Sequence, residues 1–190
     1  MNKRSYKAFT LIEMLIVMGI LIILMAVGVA AGRFAIDRAN EISHKNGATQ
    51  LYQALQAYYT DNLKFPEPGS NFKNMLSSGG ILLKYLDMGS FKGGSDATYY
   101  YFTNKEKQSA IVCVTLGGTA DSGEKGVVCV GNGFDVIAAD CVGTTTEGTD
   151  LNAIKKEKYE KDDDFRTKFV DLSTSSSACV SDWNSDTKSF

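Results

Sequence analysis

Histidine, proline and tryptophan are scarce in this chain of 190 residues, which holds one His, two Pro and one Trp. The single His44 is distant in sequence from every cysteine, so no His–Cys zinc spacing exists. No H-E-x-x-H, G-x-S-x-G, phosphate loop or dinucleotide fingerprint occurs. With 22 acidic residues a carboxylate pair is always available, but nothing singles one out. A tethered extracellular enzyme therefore stands only as the alternative class. Both prolines, Pro66 and Pro68, follow residue 65, so nothing before them breaks a helix outright. Cysteine is absent before Cys113, and four cysteines in the second half suit an oxidising exterior. An excess of positive charge is also missing. Of 20 basic and 22 acidic residues, four basic and one acidic precede Asp37, which leaves 16 against 21. That balance argues against general nucleic-acid binding.

Charge itself is absent from Met14 to Gly32, nineteen residues. A helix rises about 1.5 Å per residue, so this run approaches the roughly 20 residues that cross a bilayer core. Glu13 is the one ionisable residue between Phe9 and Gly32. A carboxylate inside such a run is costly and marks a functional site by default. The plain alternative is that Glu13, about one turn past Phe9, snorkels to the headgroups. Lys3, Arg4 and Lys7 precede the run and set the N-terminus inside, the remainder outside. An ordinary secretory signal has an apolar region of about 7–15 residues and a small-residue cleavage site. The run here is longer, and Ala30-Ala31-Gly32 is a poor cleavage candidate.

The segment from Lys3 through Ala8 to Phe9-Thr10-Leu11-Ile12-Glu13 and the apolar helix resembles the class III leader of type IV pilins and pseudopilins. The resemblance implies cleavage by prepilin peptidase between Ala8 and Phe9, then methylation of the Phe9 amine. It implies that Glu13 pairs with the Phe9 amine of a neighbouring subunit in the filament, since a buried carboxylate is tolerated only when paired. Ala8 stands where the family usually has Gly. The family often has a Pro in mid-helix, where this chain has Ala30. Gly28 and Gly32 read equally as helix-weakening positions or as close-packing ones.

Beyond the apolar run, Ile36, Ala39, Ile42, Ala48, Leu51, Leu55 and Tyr58 recur mostly at helical steps. Gly47 weakens the pattern locally. His44 reads as solvated or facing a neighbouring subunit. The helix is expected to end near Asp61, before Phe65-Pro66-Glu67-Pro68-Gly69. The run Asp61-Asn62-Leu63-Lys64-Phe65-Pro66 resembles the D-N-x-x-Y-P that closes the helix in many pseudopilins and some pilins. Asn71 is placed to cap Phe72–Ser77, and Ile81–Met88 reads as a second short helix with Leu82, Tyr85 and Leu86 on one face. The Asp-Pro-Trp-Gly element of many secretion pseudopilins is absent. Strands are expected at 98–103, 109–116 and 126–130, with a weaker run at 134–138. Tyr99, Tyr100, Tyr101 and Phe102 read as ordinary packing with polar tips outward.

Four cysteines allow three pairings. Cys113 and Cys129 lie near the middles of adjacent apolar runs, so the reading prefers Cys113–Cys129 and Cys141–Cys179. Each bridge contributes about 3–4 kcal/mol on a loop-entropy model. Metal ligation by the cysteines is the weaker alternative, as no C-x-x-C spacing occurs. Residues 142–178 are polar and charged. In pilins a disulfide-bounded C-terminal loop forms the exposed filament surface, which makes this segment the candidate contact surface by resemblance. Asp162, Asp163 and Asp164 offer oxygen ligands for calcium without following a recognised loop spacing, so no cofactor is expected.

The fold class expected is α+β and pilin-like: a long N-terminal helix on a small antiparallel sheet. The boundaries are a leader at 1–8, a membrane or filament-core helix at 9–36, its amphipathic continuation at 37–62, an αβ-loop at 63–97, a sheet at 98–140 and a disulfide-bounded region at 141–190. The expected role is structural, with no catalytic residues: a pilin that homopolymerises in a helical filament for adhesion or twitching motility. The alternative is a pseudopilin of a type II secretion or DNA-uptake machine. The implied partners are prepilin peptidase, an inner-membrane assembly platform and, before assembly, the inner (cytoplasmic) membrane with the head outside; after assembly the site is the cell-surface pilus. Glu13→Ala separates the readings: a simple membrane anchor tolerates it, whereas a filament subunit loses most surface filament, as measured by the yield of sheared fibres.

Overall fold

The computed structural model describes residues 9–67, 72–77, 79–104, 106–118, 125–134 and 180–190. The chain divides into two compact units, one up to Ala39 and one from Asn40 onward. Helix α1, Leu11–Asn62, supplies residues to both. In the first unit every described residue is exposed, including Leu15, Ile16, Leu21, Ile23 and Met25. By length and composition this part of α1 can cross a membrane. A helix apolar on all sides needs an apolar surrounding on all sides, which water does not provide.

The second unit is an α+β head. After α1 come α2 (Phe72–Leu76), a 3-10 turn (Ile81–Lys84), and strands β1 (Ala97–Thr103), β2 (Ala110–Thr115), β3 (Val127–Gly131) and β4 (Val180–Trp183). The four strands form one antiparallel sheet in the order β3-β2-β1-β4. His44, Gly47, Ala48, Leu51, Ala54 and Leu55 make the buried stripe of α1. The apolar members of that stripe share one core with Ala97, Tyr99, Tyr101, Ala110, Val112, Val114 and Trp183. The alternate residues Tyr100, Phe102, Ile111 and Cys113 are fully buried too. Both faces of β1 and β2 are therefore covered, which suits their continuous aromatic and β-branched runs. Cys113 lies directly opposite Cys129 in the β2–β3 register, and the two form a disulfide.

The end of α1 is fixed by several local contacts. The Asn62 amide donates to the Tyr58 carbonyl at 2.9 Å, and Leu63, at φ +57°, donates its N–H to the Tyr59 carbonyl at 2.7 Å. A residue in this left-handed conformation closes many helices. The Phe65 N–H then bonds the Lys107 carbonyl at 2.7 Å, and the Tyr101 hydroxyl bonds the Pro66 carbonyl at 2.6 Å. On the outside, the Tyr85 hydroxyl donates to the Asp61 carboxylate at 2.7 Å. That bond first, and then Lys84, holds the Asp61 carboxyl below its ordinary range.

Several sequence expectations change. The buried stripe starts at His44, while Ile36, Ala39 and Ile42 lie outside it and Ile36 and Ile42 are exposed. Each residue turns the helix by about 100°, so Ile42 and Ala39 fall well off the face that carries His44, Ala48 and Leu51. The expected stripe joined two different faces. His44 is neither solvated nor turned outward but 1% exposed. The tips of Tyr99 and Tyr101 point inward: their hydroxyls donate to the Gly93 carbonyl at 3.1 Å and the Pro66 carbonyl at 2.6 Å. Burial pushes the pKa of both hydroxyls up. Ile81–Met88 yields only the short 3-10 turn, although Leu82 and Leu86 are buried and Tyr85 half-buried. The fourth strand is Val180–Trp183, within the region expected to be a disulfide-bounded C-terminal segment; Phe134 sits in a turn and 135–138 lie outside the described residues.

Gly47 is a close-approach position rather than a weak point. A Cβ there would fall on the Tyr99 hydroxyl and stand 3.0 Å from the Gly93 Cα. Ala is the better helix former by about 1 kcal/mol, but overpacking costs about 1–3 kcal/mol and the fully buried Tyr99 would also lose its bond to Gly93. Gly47→Ala is expected to destabilise the head by about 1–2 kcal/mol net, read as a lower midpoint in thermal unfolding of the full chain in detergent.

Candidate functional site

The candidate site is the start of α1. Thr10 precedes the first helical residue, and Glu13 is the third residue inside the helix. The first N–H groups of any helix lack intrahelical partners. Here the Thr10 hydroxyl oxygen accepts the Glu13 N–H at 3.3 Å. In return Glu13 Oε2 accepts the Thr10 N–H at 2.8 Å and the Thr10 hydroxyl at 2.7 Å. This reciprocal T-x-x-E arrangement is a capping box. The first intrahelical bond follows, from the Met14 N–H to the Thr10 carbonyl at 3.4 Å.

The carboxylate of Glu13 is therefore neither bare nor fully engaged. Both accepted bonds end on Oε2, and Oε1 has no hydrogen-bond partner among the described residues. Chemically the site offers one anionic oxygen held by its own chain and a second open to a cation or donor. Around it Phe9, Leu11, Ile12 and Met14 are 76%, 84%, 66% and 58% exposed. An anion ringed by uncovered apolar side chains is expensive in lipid unless paired. Negative charge at a helix N-terminus is also favoured by the helix dipole.

The other sequence-selected residues fall as follows. Phe9 is described and exposed, whereas Ala8 lies outside the described residues. Cys113 and Cys129 are bonded in the sheet of the second unit. Cys141, Cys179, the segment 142–178 and Asp162 to Asp164 all lie outside the described residues, and among the described residues no metal-holding cluster of His, Cys, Asp or Glu occurs. Two features escaped the sequence reading that spacing could have shown. Thr10 and Glu13 have the capping-box interval of three. His44 stands three, four and seven residues before Gly47, Ala48 and Leu51, which is the spacing of one helix face.

Residues 3–29 match the model of the prokaryotic N-terminal methylation motif, the class III signal peptide of type IV pilins and pseudopilins. Neither the curated proteins nor the solved structures give a match.

Thr10→Val keeps the side-chain shape and removes the capping hydroxyl. A lost N-cap costs about 1 kcal/mol, so the Glu13 amide is expected to exchange roughly fivefold faster in micelles. Amides beyond the second turn should be unaffected in the same hydrogen-exchange measurement.

Proposed function

We propose that this chain, whose N-terminus carries the methylation motif, is a structural subunit of a type IV pilus filament that supports adhesion or twitching motility. The observation that carries the reading is the motif itself, set on a helix whose apolar segment is exposed and whose Glu13 carboxylate has one oxygen without a hydrogen-bond partner among the described residues. Before assembly the apolar part of α1 resides in the cytoplasmic membrane with Lys3, Arg4 and Lys7 on the inner side. Prepilin peptidase cuts between Ala8 and Phe9 and methylates the new amine. In the filament, copies of α1 pack on one another, and Glu13 receives the Phe9 amine of a neighbour. That amine is cationic, so its bond to the carboxylate is stronger than the neutral bonds the capping box supplies. A subunit out of register would leave both charges buried and unpaired, at a cost of several kcal/mol. Docking on an assembly platform in the inner membrane, and delivery to the cell surface, are part of this reading.

A second reading, a pseudopilin of a type II secretion or DNA-uptake machine, is favoured by one observation. The run Asp61-Asn62-Leu63-Lys64-Phe65-Pro66 closes α1 with the αL turn at Leu63, and a similar run closes the helix in many pseudopilins. The N-terminal chemistry would be the same and the fibre short.

Intact and N-terminal mass spectrometry of sheared surface filaments tests both. The expected result is an abundant chain that begins at N-methylated Phe9. The same processed chain confined to the membrane fraction would favour the pseudopilin reading. A chain still beginning at Met1 would remove both.

A further inference from the structure

The unexplained group in the head is His44. Its ring is 1% exposed and wedged between three elements. Nδ1 lies 3.0 Å from the Leu116 carbonyl oxygen, just past β2, and Nε2 lies 2.6 Å from the Ser95 carbonyl oxygen, just before β1. Both partners are carbonyls, and a carbonyl can only accept. A neutral imidazole has one N–H and one lone pair, so it can satisfy one of these oxygens and must turn its lone pair on the other. Only the doubly protonated ring donates to both.

The neighbouring bonds reinforce this. Gly93, Gly94 and Ser95 offer three successive carbonyls. The first accepts the Tyr99 hydroxyl from β1 at 3.1 Å, and the second accepts the Trp183 indole N–H from β4 at 3.3 Å. The third meets His44 from α1. Gly94 has φ +84°, and a Cβ there would run into the His44 ring, with Nε2 at 2.6 Å. The loop is thus closed on the ring, which has little room to turn away.

From this geometry we propose that His44 is a proton-dependent tie: as imidazolium it bolts α1 to both the 93–95 loop and the end of β2, and on losing a proton it releases one of them. The charged residues closest in sequence to the ring and its two carbonyl partners are Glu41 and Lys45 on α1, Lys92 and Asp96 on either side of the loop, and Lys125 ahead of β3. Asp96 accepts the Ser185 N–H and hydroxyl at 2.9 and 3.2 Å. Both carbonyl oxygens lie within hydrogen-bond distance of the ring, so the doubly protonated form makes two bonds and the neutral form one. The neutral ring leaves one buried carbonyl facing a lone pair and gains nothing in return. The donor count gives the expected sign: two bonds hold the head in acid and one remains as pH rises.

His44 is the one histidine in the chain, so its ring nitrogens are identified without a variant. The test is nitrogen-15 NMR of the full chain in detergent micelles at about pH 5.5 and about pH 8, spanning the range in which histidine usually changes charge. It is paired with hydrogen-exchange protection factors, which correct for intrinsic base catalysis. The expected result is two protonated ring nitrogens at the lower pH. At the higher pH one is lost, and protection at Ser95, Asp96 and Gly117 falls about tenfold, the scale of one charge-assisted bond, while β1–β2 amides hold. A ring with one bare nitrogen at the lower pH in the folded chain would overturn the proposal. So would two protonated nitrogens with no pH-dependent loss of protection. As a second readout, the acid-favoured part of the thermal midpoint should vanish in His44→Gln. The outcome does not depend on whether the chain forms filaments.

Discussion

The head is held by the stripe from His44 to Leu55 pressed onto β1 and β2. Its closest point is Gly47, where the absence of a side chain admits the Tyr99 hydroxyl, and that hydroxyl in turn reaches the Gly93 carbonyl. Large side chains of the sheet thus meet small positions of the helix, Gly47, Ala48 and Ala54, while Leu51 and Leu55 fill the spaces between. Interiors packed this closely leave little freedom for change in volume at any one position. Phe91, Trp183 and Phe190 extend the same core, with ring centroids 4.8–5.5 Å apart, a range favourable for aromatic pairs.

Three side chains of this core find polar partners on one loop. Gly93 to Ser95 presents carbonyls in succession to β1, β4 and α1, and each meets a side-chain nitrogen or hydroxyl. Buried backbone acceptors must find partners, and here they find them across three elements rather than within a ladder. The loop therefore joins parts of the chain that are far apart in sequence, as the 89-residue interval between Gly94 and Trp183 shows. The N-terminal site obeys the opposite logic. Thr10 and Glu13 satisfy each other across three residues, and the remaining carboxylate oxygen has no hydrogen-bond partner among the described residues. A local cap of this kind leaves that oxygen able to take a cation or a hydrogen-bond donor.

How much could be read beforehand differs between these sites. The apolar segment of α1 is visible from composition, because a run without charge from Met14 to Gly32 has few uses other than an apolar environment. Strands β1, β2 and β3 are visible from their aromatic and β-branched content, within one residue at each end. β4 was not. Its Val180-Ser181-Asp182-Trp183 lacks a strand-like run, and it belongs to the sheet through pairing with β1. The capping box was legible at its spacing but overshadowed by the cost of a charge in lipid. The burial of His44 was legible only from its spacing to Ala48 and Leu51, and the expected stripe obscured it by including Ala39 and Ile42 from another face.

The sequence alone determined the class III leader pattern, the membrane-competent helix, its end near Asn62 and the α+β character of the head, since these rest on local composition, periodicity and motif. Tertiary structure decided the phase of the buried stripe, the inward turn of the Tyr99 and Tyr101 hydroxyls, the recruitment of β4 and the double-carbonyl seat of His44. Each of those depends on which distant backbone groups lie opposite a given side chain, and that is fixed only when helix, loop and sheet close on one another.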